Sequence, residues 1–227
     1  TMLNKLKSFK ECIYFYEINE DFINKLLTYL KVKQKNNDNT IASFVKSFKK
    51  YLHIANKRGI ITPIMHDDIK RGNFTSERIF LMPDEIRKMD KYFNSEFIPA
   101  THKAILARFL FSCFSGLRIS DNKKLTSENF INDILIFMSE KTGKLQRMKL
   151  NDSALSYIDP EVIFYGTFTD EYINRELKFI AKACGITKSI SFHTSRHTFA
   201  TNFYMATRDV VQLQKILGHS KITDTMI

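Results

Sequence analysis

The sequence predicts a mainly α protein with one small antiparallel β-sheet, an α+β fold in two domains. Three observations predict it. Apolar residues recur at helical spacing both before residue 60 and after residue 170. Strand-like alternation is confined to a short zone between Ile134 and Leu150. A polar stretch from Asp67 to Arg78, with Gly72 and few large apolar residues, reads as a linker between two parts of the chain.

The elements follow in order. Phe22, Ile23, Leu26, Leu27 and Leu30 keep a helical period, and the polar run from Gln34 to Thr40 breaks it. A further helix is expected from about Thr40 to Arg58, with Ile41, Phe44, Val45, Phe48, Leu52 and Ala55 inward and Gly59 as its stop. Lys46, Lys49, Lys50 and Lys57 fall largely off that inner face, either as solvated surface or as a grip on a nucleic-acid backbone. Pro83 suits a first helical position, and Asp84 and Glu85 suit the positive end of the helix dipole, although Met82 is a poor cap. Thr101 to Phe114 is apolar on most sides and reads as a buried helix. Ile134–Met138 and Leu145–Leu150 form two strands, with Lys141-Thr142-Gly143-Lys144 at the hairpin tip. Helical periodicity returns from Glu171 to Ala183, ending at Gly185, and a last helix from about Asp209 to Leu217 ends at Gly218.

Composition narrows the classes of function. Hydrophobic residues make up 44% of the 227, enough for proper cores, and 20 Phe with no Trp make Phe the main packing residue. The apolar run from Ile105 to Phe114 is interrupted by Arg108 and falls short of a membrane span. The opening Thr1-Met2-Leu3-Asn4-Lys5 lacks a signal-peptide layout. Cys12, Cys113 and Cys184 are scattered and without metal-ligand spacing, so they read as reduced thiols in a cytoplasmic protein. The formal net charge is +11, of which residues 1–75 carry +7. A polyanion is the natural partner, since each neutralised phosphate releases counterions.

Chemistry-bearing residues gather in short motifs. In Phe192-His193-Thr194-Ser195-Arg196-His197 a helix would put His193 and Arg196, three apart, on one face, as a base beside a fixed cation. Ser115-Gly116-Leu117-Arg118-Ile119-Ser120-Asp121 stands at the end of the buried helix. Gly116 allows a tight turn there, and Arg118 needs a partner, either Asp121 or a bound phosphate. Lys141 at a hairpin tip is compatible with plain solvation, and His219 after Gly218 with capping of the last carbonyls.

The ordered set of Ser115-Gly116-Leu117-Arg118-Ile119-Ser120-Asp121, Lys141, His193-Thr194-Ser195-Arg196-His197 and Leu217-Gly218-His219-Ser220 resembles the tyrosine recombinases of the phage-integrase family. The likeness extends to integrases of mobile elements such as conjugative transposons. It implies a helical core-binding domain over residues 1–75 that clamps DNA, followed by the family's catalytic domain over residues 76–227. It also implies site-specific recombination of double-stranded DNA through a 3′-phosphotyrosyl intermediate, by a homo-tetramer on DNA, with no metal or other cofactor and no membrane. Arg118 and Arg196 would hold the non-bridging phosphate oxygens, because a guanidinium fork matches two of them. Lys141, with Lys144 as rival, would protonate the leaving 5′ oxygen. His193 would help deprotonate the nucleophile, and His219 would hydrogen-bond the phosphate. Asp121 would orient the site, and His197 would pack or support. The resemblance places the nucleophilic tyrosine nine residues after His219, directly following Ile227, a place none of the nine tyrosines in the sequence occupies. The polypeptide as it stands is therefore expected to bind DNA without forming the covalent bond. Two other readings remain at this point: a DNA-binding protein with a helix-turn-helix over Val210 to Ile222, and a type IB topoisomerase.

Overall fold

The structure is a computed structural model that describes residues 2–70 and 78–225. The chain divides into two compact units, Thr1–Glu77 and Arg78–Ile227. Most of the linker expected over Asp67–Arg78, Gly72 included, falls at 71–77, outside the described residues.

The first unit contains α1 (Met2–Phe9), α2 (Glu20–Val32) and α3 (Asp38–Lys57). Asparagines start the two longer helices. The Asn19 side chain accepts the Phe22 N–H, and that of Asn37 accepts the Thr40 N–H, so α3 begins two residues before the expected Thr40. Phe22, Ile23, Leu26 and Leu30 of α2 bury against Phe44, Val45, Phe48 and Leu52 of α3. This is the face that the periodicity marked.

The second unit runs α4 (Pro83–Phe93), α5 (Ala100–Ser115) and α6 (Ile119–Lys123), then the strands β1 (Phe130–Ile131), β2 (Ile134–Met138) and β3 (Leu145–Lys149). It continues with α7 (Asp152–Leu155), α8 (Pro160–Ile163), α9 (Asp170–Ala183), α10 (Phe192–Thr207) and α11 (Val210–Leu217). Pro83 takes the first position of α4; with no capping atom on Met82, the Glu85 carboxylate accepts the Met82 N–H at 2.7 Å instead. Helix α5 is the axis of the unit, with Ile105, Leu106, Phe109 and Leu110 fully buried under α4, α7, α8, α9 and α10. The sheet is antiparallel in the order β1-β2-β3, with Leu135 opposite Met148 and Phe137 opposite Gln146. Leu135 and Phe137 point into the core, so the register fixes which residues of the hairpin reach its tip. The fold is mainly α with a small antiparallel sheet, as the sequence predicts. The two-residue strand β1 is an addition, because two residues carry no period to read.

The alternative helix-turn-helix is expected over Val210 to Ile222. Between Val210 and Asp224 the described residues hold α11, the stop at Gly218 and a 3₁₀ turn at Ile222–Asp224. Among the described residues no helix is long and apolar enough to cross a membrane, and no His/Cys/Asp/Glu group could hold a metal.

Candidate active site

Four elements bring the chemistry together. Helix α5 ends on Gly116, which adopts φ 72°, a left-handed conformation that favours glycine. A Cβ there would stand 2.5 Å from Cδ1 of Phe199, so the turn has neither the backbone freedom nor the space for a side chain. Gly116→Ala is expected to lower stability by at least ~2 kcal/mol, combining φ strain with overpacking. Thermal unfolding would show this as a clear drop in Tm.

The turn delivers Arg118 to the start of α6, and α10 delivers Arg196 from the other side. Arg118 Nη2 donates to the Leu217 carbonyl at 3.2 Å, and Arg196 Nη2 donates to the same oxygen. Arg196 Nη1 also donates to the Gly116 carbonyl at 2.6 Å. One carbonyl at the end of α11 thus gathers both guanidinium groups. Asp121 is buried behind them: one carboxylate oxygen lies 3.7 Å from Arg118 Nη1, and the other accepts the Glu140 N–H at 2.8 Å. That second bond ties the arginine cluster to the residue just before Lys141. Lys141 is exposed on the tight turn that Ser139 and Gly143 close, where the Gly143 N–H donates to the Ser139 carbonyl at 2.8 Å.

His219 follows Gly218, whose φ of 62° stops α11. Its Nε2 lies 3.1 Å from Arg196 Nη2 and its Nδ1 lies 2.9 Å from Thr225 Oγ1. A guanidinium can only donate, so Nε2 accepts, and the ring proton sits on Nδ1 facing Thr225. His193 and His197 meet edge to face, with centroids 4.6 Å apart, one helical turn apart on α10.

The result is one cavity of about 350 Å³ that Arg118, Lys141, His193, Arg196, His197 and His219 all line. Among the described residues Asp224 is the single acid on its wall. Lys144 is not among the lining residues. Arg78 is, although no sequence signal marked it: it stood at the edge of a polar linker, outside any motif.

The charge imbalance is visible in the protonation of the site. Burial, then the neighbouring Arg118, pushes the Arg196 pKa down to about 9, with Asp121 opposing. Burial, then Arg196 and Arg118, takes His219 down to about 4, and burial followed by His193 takes His197 to about 4. Burial and then Arg196 lower His193 as well. Near neutral pH the imidazoles are therefore neutral and the arginines charged, a pocket short of negative charge. Because the folded pKa values of His197 and His219 lie below the ordinary 6.5, acid favours the unfolded chain. Their contribution is complete above about 6.5 and is lost as the pH falls toward 4. In His219→Gln the acid-induced loss of stability over this range should be smaller than in wild type by on the order of 1 kcal/mol, read by urea unfolding at several pH values.

In the first unit Lys46, Lys50 and Lys57 are exposed along one stripe of α3. Lys49 is not with them: it is half-buried and its ammonium donates to the Ile69 carbonyl at 3.0 Å. It holds the unit's own backbone.

Paired arginines, neutral imidazoles and a hairpin lysine surround one electropositive chamber at the end of a central buried helix, a donor set whose chemistry suits a phosphate-type oxyanion. The chain belongs to the phage integrase family, as a tyrosine recombinase: residues 80–227 match the phage integrase family and residues 1–68 match the phage integrase SAM-like domain. A tyrosine recombinase of Pseudothermotoga lettingae is 29% identical over 92% of this chain and 75% of its own length. Among solved structures, a lambda integrase dimer bound to a COC′ core site superposes with a TM-score of 0.77 at 17% identity, covering 98% of this chain and 88% of that one. The Tn1549 transposon integrase in complex with circular intermediate DNA gives 0.76 at 17% identity, covering 98% and 86%. At that level of identity the likeness shows the fold.

Proposed function

We propose that the protein carries out site-specific recombination of double-stranded DNA, integrating or excising a mobile element, by exchanging a phosphodiester for a 3′-phosphotyrosine and back. One observation carries this reading: Arg118, Lys141, His193, Arg196 and His219, far apart in sequence, line one cavity. Family spacing puts the nucleophilic tyrosine nine residues after His219, directly following Ile227. Its oxygen attacks the phosphorus, the bond to the 5′ oxygen breaks, and the departing oxygen takes a proton from Lys141. Arg118 and Arg196 hold the two non-bridging oxygens, which supply the negative charge the cavity lacks. His193, neutral because its pKa is lowered, takes the tyrosine proton.

His219 has a tautomeric task. With Arg196 as partner its Nε2 accepts, but a phosphate oxygen requires it to donate. Moving the proton to Nε2 is possible because the Thr225 hydroxyl can donate to Nδ1 as well as accept from it. The reaction conserves bond energy and uses no cofactor. Lys46, Lys50 and Lys57 grip the backbone from the core-binding unit, and four protomers assemble on two DNA sites in the cytoplasm.

The test uses the protein extended with the tyrosine after Ile227, and a nicked duplex carrying its own site. A covalent protein–DNA adduct on the 3′ phosphate, and joint products from two duplexes, are the expected results. With a supercoiled plasmid carrying the site as a second substrate, relaxation without joint product would indicate a type IB topoisomerase, and absence of any adduct on the nicked duplex would sink the recombinase reading.

A further inference from the structure

A second cationic site lies in the middle of α5. Arg108, which interrupts the apolar run of that helix, is 7% exposed. Its Nε donates to the Ile163 carbonyl at the end of α8, at 2.7 Å. Neither Nη makes a hydrogen bond or ion pair with any described residue, and among the described residues no aromatic ring lies beneath the guanidinium. No Nη of Arg108 is among the enclosed side-chain atoms that lack a partner, so the stem is buried while the guanidinium edges meet the cavity, and a partly desolvated cation without a counter-charge is costly. Burial lowers its pKa and no nearby acid offsets the shift.

The group opens on a cavity of about 370 Å³ that shares no lining residue with the chamber around Arg196. Phe164 and Phe168 form its apolar walls, while the exposed Thr126, Ser127 and Thr167 bring hydroxyls to its rim. Lys123 also lines it, but its ammonium is paired with Asp170 at 2.7 Å, so the uncompensated charge belongs to Arg108. Leucine or methionine would suit this position of α5 if packing alone mattered. An inward guanidinium with two idle N–H edges, ringed by hydroxyls, has the donor pattern that a tetrahedral oxyanion takes.

We propose that the Arg108 cavity is a phosphate-binding site separate from the recombination chamber, with the Nη groups of Arg108 as the fork and the hydroxyls of Ser127 and Thr167 closing on the remaining oxygens, while the Thr126 hydroxyl donates to Asn129 Oδ1. A free phosphate group and a DNA backbone phosphate share this chemistry. Occupation offsets the cost of the buried charge and so couples ligand to the stability of α5.

The chain contains no Trp, so Phe168→Trp places a sole reporter on the cavity wall. Inorganic phosphate, added at constant ionic strength against chloride, should give a saturable fluorescence change. Arg108→Met in the same background should weaken it at least about tenfold, as expected for loss of a charge-assisted fork, and Arg196→Ala should leave it unchanged. A duplex oligonucleotide is the second arm: a signal with duplex alone assigns the phosphate to DNA, and a signal with free phosphate assigns it to a small ligand. As a readout without the tryptophan, in an Arg196→Ala background that weakens phosphate binding in the recombination chamber, phosphate should still raise Tm, and adding Arg108→Met should remove that rise. A response that survives Arg108→Met, disappears in Arg196→Ala, or is reproduced by chloride overturns the proposal, as does silence with both ligands.

Discussion

Arg196→Ala is expected to slow formation of the covalent DNA adduct by about 10²–10³ or more, with most of the DNA affinity retained. Arg196 is the most deeply committed cation of the chamber, 6% exposed and bonded to Gly116, Leu217 and His219. Burial, then Arg118, holds its pKa down at about 9 against the pull of Asp121. A phosphate whose charge grows in the transition state relieves that imbalance more than the ground state does, so the loss should fall on the chemical step. Affinity should suffer little, because one phosphate contact among many is removed; the slope of log K against log salt should become shallower by about one. The substitution also strips donors from two carbonyls, so Arg196→Lys is the needed companion. It keeps the charge and loses the fork, and should remain well below wild type in a single-turnover assay at saturating DNA. Cleavage by Arg196→Ala within tenfold of wild type would show that the scissile phosphate is held elsewhere.

How much of this was legible in the sequence depends on the range of the interaction. Periodicity and stop signals are local, so α2, α3, α5, α9 and the β2–β3 hairpin stood out from residues alone, and Gly116, Gly185 and Gly218 fell where helices end. The cluster of functional groups was legible only as an ordered set of motifs; singly, Arg118, Lys141 and His219 each had an ordinary structural explanation. What stayed hidden is long-range. Nothing local announces that the Leu217 carbonyl serves two arginines 99 and 21 residues away in sequence. Nor does it announce that Asp121 reaches the hairpin at Glu140, or that Lys49 leaves the basic stripe to hold Ile69. Arg78 joins the chamber wall from a stretch that read as linker. Arg108 registered only as a break in an apolar run, although its burial and missing counter-charge make it a candidate site in its own right.

Lys141→Ala should slow strand cleavage by about 10²–10⁴, and that loss should nearly vanish when the leaving 5′ oxygen is replaced by sulfur. An alkoxide leaves badly without a proton, whereas a thiolate, whose conjugate acid is far stronger, leaves without one. Rescue by sulfur therefore separates a general acid from a residue that merely binds the phosphate. Lys144→Ala should stay within a few-fold of wild type on both substrates, because Lys144 does not line the chamber and contributes its backbone carbonyl to the hairpin, accepting the Ser139 N–H at 2.9 Å. Arg196→Ala should show no sulfur rescue, since its charge acts on the non-bridging oxygens. Asp121→Asn gives a graded test of how the lysine is placed. Its carboxylate fixes the Glu140 N–H at 2.8 Å, so loosening it should lower kcat and leave KM for DNA nearly unchanged. Its loss should be partly rescued by sulfur, because a misplaced acid matters less once no proton is needed. Rescue of Lys144→Ala in place of Lys141→Ala would move the acid three positions along the turn from where the Asp121 link aims it.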